Sequence, residues 1–99
     1  MGYDLFFVCP TGTAQTSQIN VSYSYNAFYS VFNPALSKGQ TGNELAPVLE
    51  AAIQRMKRIY YSLTTSKDVL KALPGNYVQV LTLLHAYAKD HPTWIFHCD

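Results

Sequence analysis

The chain has 99 residues and a formal net charge of +1, with 48% hydrophobic and only 13% charged residues. That length makes one domain, 1–99, with a single core, and so apolar a composition excludes a disordered chain. The near-neutral balance excludes a protein that lives on phosphate backbones, which needs a basic face; the scarcity of charge points to surface covered by a partner, most simply in a homo-oligomer.

MGYDLFFVCP is not a signal peptide: it lacks a basic start, and its apolar run, Leu5 to Cys9, is short. No stretch reaches the roughly 20 apolar residues of a membrane span. Phe6 stands where a myristoylation signal carries Ser or Thr. The Asn20-Val21-Ser22 glycosylation triplet has no meaning without secretion. The two cysteines, Cys9 and Cys98, are too few for a disulfide framework and read as reduced thiols at strand ends.

Tyr3 to Cys9 reads as a strand, apolar on both faces at Leu5, Phe6, Phe7 and Val8 and therefore central. Pro10 ends it, and Thr11 to Ser17 is a polar, turn-prone connection. From Gln18 the chain alternates. Ile19, Val21, Tyr23 and Tyr25 fall on one side, and Asn20, Ser22, Ser24 and Asn26 on the other, which makes a second strand hairpinned to the first. At Asn26, a suitable N-cap, the spacing becomes helical, with Phe28, Val31 and Phe32 on one face. Asn33-Pro34 stops this short helix, and 35–40 is a loop.

Thr41-Gly42-Asn43-Glu44 has the form of a capping box. The long helix it opens carries an apolar stripe of Leu45, Val48, Leu49, Ala52, Ile53, Met56, Tyr60 and Leu63, with Pro47 in its first turns. Arg55, Lys57 and Arg58 lie toward its C-terminal end, where cations suit the helix dipole. Residues 64–73 read as loop. A second long helix runs from Tyr77 to Asp90, with Val80, Leu81, Leu84 and Ala88 facing the core and Leu83 and Tyr87 widening the stripe. His91-Pro92 ends it, and Thr93 to His97 is the last strand.

The order β-β-α-α-α-β implies a small two-layer α+β domain: a three-stranded mixed or antiparallel sheet on a hairpin of two long helices, plus one short helix. A parallel last strand places Cys9 and Cys98 at the same end of the sheet, and an antiparallel one separates them. With helices on one face, either Phe6 and Val8 or Leu5 and Phe7 are left exposed, as at an interface.

Chemistry-bearing constellations are sparse. His85, His91 and His97 with the two cysteines show no metal-site spacing, and a serine or Cys9 nucleophile has no motif to supply its base. The six carboxylates stand singly, and there is no phosphate-binding glycine loop. The sequence therefore predicts no catalytic residue, metal or cofactor. The one concentration of groups suited to a polar ligand is the second strand and the helix after it. Asn20, Ser22, Tyr23, Tyr25, Asn26 and Tyr29 line this candidate site, with Arg55 or Arg58 as anion partner. The ladder supplies hydrogen bonds, the helix N-terminus suits an anion, and the tyrosines offer stacking surfaces.

Four segments, MGYDLFFV, INVSYSYNAFY, TGNELAPVLEAAI and GNYVQVLTLLHAYAKDHPTWIFHCD, together resemble a family of small proteins from tailed bacteriophages and prophages. The likeness covers most of the chain apart from 10–17 and 64–73. The chain departs in having Ser24 where the family strand carries Asn, and in the position of Trp94. The resemblance implies a phage accessory protein, made in the host cytoplasm and without assigned enzyme activity. Two roles follow from it. One is an anti-defence protein that sequesters a small polar, nucleotide-derived immune signal. The other is an inhibitor or adaptor that binds a host protein through an aromatic face or a sheet edge. Neither involves nucleic acid or a membrane.

Overall fold

The computed structural model describes residues 2–23, 26–63 and 76–99, with the side chains of 60–63 and 76 left aside. The expected loop at 64–73 lies outside these residues. The first strand, β1 (Gly2–Val8), is central in a three-stranded sheet of order β2-β1-β3, with β2 at Ile19–Ser22 and β3 at Ile95–Cys98. Both pairings are antiparallel, so Cys9 and Cys98 belong to opposite ends of the sheet. Opposed residues share a face. Leu5, Phe7, Val21, Phe96 and Cys98 therefore point to one side, and all are buried in the core. Asp4, Phe6, Asn20 and His97 point to the other.

The helices are α1 (Asn26–Val31), α2 (Pro34–Ser37), α3 (Gly42–Leu63) and α4 (Asn76–Asp90). Phe28 and Val31 of α1, Leu45, Leu49, Ala52 and Met56 of α3, and Tyr77, Leu81, Leu84 and Ala88 of α4 close the core over the sheet. Val48, expected in the α3 stripe, is instead 41% exposed.

The capping box forms as its spacing demands. The Thr41 N–H donates to Glu44 Oε1 at 3.1 Å, and the Glu44 N–H donates to Thr41 Oγ1 at 3.2 Å. The Gly42 and Asn43 N–H groups donate to the Trp94 and Pro92 carbonyls, each at 2.8 Å. The first donors of α3 are thus committed to the turn after α4. Gly42 permits this approach: a Cβ there would stand 2.4 Å from the His91 carbonyl oxygen.

Three further expectations are corrected. Residues 34–37 form a helical turn rather than a loop, because Asn33 accepts from the Ala35 and Leu36 N–H groups while Pro34 sits at the N-terminal end, where its missing donor is harmless. Strand β2 ends at Ser22, with Tyr23 already in a turn, although the alternation continues in sequence. The outer sheet face is not an exposed apolar patch. Phe6 is only 6% exposed, and the His97 ring stacks on it with centroids 5.6 Å apart and planes 16° apart.

Candidate functional site

The two edges of the sheet are treated differently. Beyond β3, the Gly39 N–H donates to the Phe96 carbonyl at 2.9 Å, and the Phe96 N–H donates to the Gln40 carbonyl at 2.8 Å. Gly39 turns the chain onto this edge with φ at +92°, a conformation glycine adopts freely. Beyond β2 no described strand follows.

Register determines what the outer side of β2 offers. Asp4 exchanges both backbone bonds with Asp99, at 2.9 and 3.0 Å. Even-numbered residues of β1 therefore bond toward β3 and odd-numbered ones toward β2, as the pairing of Phe7 with Thr16 also shows. Tyr3 with Val21 and Leu5 with Ile19 are then the hydrogen-bonded pairs. The backbone N–H and C=O of Asn20 point away from the sheet. Farther back, Val8 bridges Gln15 while Leu5 pairs with Ile19, so one extra residue is bulged out. There Thr16 Oγ1 accepts the Phe7 N–H at 3.0 Å in place of a backbone carbonyl.

Tyrosines flank the edge. Tyr23 is 54% exposed and meets Tyr3 edge to face at 5.2 Å; Tyr3 in turn meets Tyr29 at 5.8 Å. The Tyr29 hydroxyl donates to the carbonyls of Val21 and Ser22 at 3.1 and 3.0 Å, pinning α1 to the end of β2. Burial, and after it the charges that Tyr3, Tyr23 and Tyr77 would carry, hold the Tyr29 phenol above its ordinary value.

The residues singled out from sequence are thus distributed over several surfaces. Asn20 and Ser22 lie on the outer sheet face, where Asn20 Nδ2 donates to Asp4 Oδ1 at 2.9 Å. Tyr23 and Tyr29 gather with Tyr3 at the end of β2. Tyr25 lies outside the described residues. Asn26 is the exposed first residue of α1. Arg55 donates from Nη2 to the Val31 carbonyl at 2.9 Å, serving the C-terminal end of α1, and Arg58 is exposed one turn further along α3.

Cys9, set aside in the sequence as a nucleophile without a motif, lies in the loop that follows β1. Its sulfur lies 3.2 Å from Thr11 Oγ1 and 3.4 Å from Thr13 Oγ1, and it accepts the Ala14 N–H at 3.2 Å. The Thr11 hydroxyl foremost, then Thr13, lowers the thiol to about 6, with the Ala14 and Thr13 backbone N–H groups adding to them against desolvation. These donors favour the Cys9 thiolate, whereas burial pushes Cys98 up. The motif signals for nucleophilic cysteines did not find it, because these donors come from its own loop. Among the described residues, no three His, Cys, Asp or Glu side chains gather to hold a metal ion, and no helix is long and apolar enough to cross a membrane.

No family model, curated protein or solved structure matches the chain.

Proposed function

We propose that the chain is a non-catalytic binding protein that recognises another polypeptide at the β2 edge and the tyrosines beside it. The observation that carries this reading is the asymmetry of the sheet among the described residues: residues 39–42 cover the β3 side, and the β2 side keeps the outward backbone pair of Asn20 next to the exposed Tyr23 ring. An added strand gains main-chain hydrogen bonds there, and Tyr23 supplies an aromatic anchor. The usual guards of an edge, lysine or proline, are missing from Ile19–Ser22. The likeness to phage proteins adds the setting: a host protein as target, the host cytoplasm as compartment, and interference with a defence system as consequence.

Sequestration of a nucleotide-like molecule has less support. It requires the Asn20–Ser22 ladder, Tyr29 and an arginine to face one volume. The ladder faces outward beside the Asp4 carboxylate, the Tyr29 hydroxyl is committed to backbone, and Arg55 serves α1.

Infection assays in which the chain benefits the phage separate the two. Asn20→Pro removes the outward N–H and leaves the backbone bonds to β1, with Asn20→Ala as the control for the side-chain bond to Asp4 that it also loses; Tyr23→Ala removes the anchor, and Arg58→Ala removes an anion partner; circular dichroism checks each fold. The edge reading expects Asn20→Pro and Tyr23→Ala to lose the benefit and Asn20→Ala and Arg58→Ala to keep it. The reverse pattern overturns it in favour of the polar ligand.

A further inference from the structure

We infer that in the free protein the β2 edge pairs with β2 of a second copy, antiparallel and two-fold symmetric about Asn20. This rests on the reading that the edge is the working surface. Residues 17–23, Ser-Gln-Ile-Asn-Val-Ser-Tyr, contain no charge, so two copies laid antiparallel bring no like charges into opposition. With the axis at Asn20, the outward N–H of each Asn20 meets the outward C=O of the other, giving a hydrogen-bonded pair.

The side chains are self-complementary as well. An asparagine amide has two donor hydrogens and an acceptor oxygen. One hydrogen goes to Asp4 Oδ1; the other hydrogen and Oδ1 suit the equivalent amide of the second copy. On the core-side face, Ile19 lies opposite Val21 of the second copy, and Tyr23 lies diagonal to its Ile19. The half-buried Ile19 and the 54% exposed Tyr23 then cover one another, and the two sheets join into one of six strands. A host polypeptide that adds to the same edge must displace the second copy, so self-pairing and partner binding exclude each other.

Sedimentation equilibrium of the full chain from micromolar to millimolar concentration tests this. The wild type is expected to rise from 11.1 kDa toward twice that mass. Asn20→Lys, which opposes two cations across the axis, is expected to stay monomeric throughout. Tyr23→Ala is expected to weaken association by about tenfold or more, and it serves alone if circular dichroism shows the lysine variant unfolded. A wild type that remains monomeric over the whole range overturns the inference. So do variants that associate as strongly as wild type, since the contact is then elsewhere. If the protein is monomeric and Asn20→Pro still abolishes the infection phenotype, self-pairing fails while the edge reading stands.

Discussion

Replacing Thr16 by valine isolates one hydrogen bond at the bulge beside β2. Valine keeps the shape of threonine and removes the hydroxyl. The Phe7 N–H, on a strand residue with 0% exposure, then loses the acceptor that stands 3.0 Å away. A buried amide left unpaired costs about 1–3 kcal/mol. In a domain of this size each kcal/mol moves the melting temperature by about 4–8 °C, so Thr16→Val is expected to melt roughly 4–24 °C below wild type. Thr16→Ser is the control: it keeps the acceptor, loses one methyl and is expected to cost less than about 1 kcal/mol. Thermal and urea unfolding, followed by circular dichroism, measure both. A valine variant no less stable than the serine variant would refute the reasoning, because the Phe7 N–H would then not depend on the hydroxyl.

The remaining predictions concern other joints of the fold and the reactive thiol. Thr41→Ala removes the acceptor for the Glu44 N–H and is expected to cost about 1 kcal/mol in urea unfolding; no loss of stability would place the helix start elsewhere. Gly42→Ala drives a methyl against the backbone carbonyls of Ala88 and His91, 2.5 and 2.4 Å from the new carbon, and is expected to cost about 1–3 kcal/mol, which a variant of unchanged melting temperature contradicts. Alkylation of Cys9 by iodoacetamide is expected to follow its thiolate, slowing as pH falls below about 6 and levelling off above it. Thr11→Val removes the foremost cause of that low value and should move the midpoint upward; an unmoved midpoint would exclude the hydroxyl as its cause.

The elements with local signals were legible in the sequence. Thr41 and Glu44 marked the start of α3, the apolar run from Leu5 to Val8 marked a central strand, and the stripe of Leu81, Leu84 and Ala88 marked α4. Asn33-Pro34 misled because the same dipeptide ends one helix and starts another, and only the cap bonds of Asn33 distinguish the two. The alternation from Ile19 assigned Asn20 and Ser22 to one face. It could not reveal that Tyr29 would return to the backbone of the same strand, since α1 reaches β2 only through the tertiary fold. Which strand edge the described residues cover depends on the pairing of 39–42 with β3, a contact between segments more than fifty residues apart. The Cys9 donors depend on the closure of one turn, which leaves no periodic trace.

The register of β2 underlies the proposed edge, and amide hydrogen exchange at residue resolution tests it most directly. In dilute protein, where self-pairing is negligible, the Val21 N–H should exchange slowly because it is bonded into β1, and the Asn20 N–H should exchange fast because it points away from the sheet. With rising concentration the Asn20 N–H should slow. An Asn20 N–H as protected as that of Val21 in dilute solution, or a Val21 N–H that exchanges fast beside a protected Asn20, would contradict the register and with it the edge.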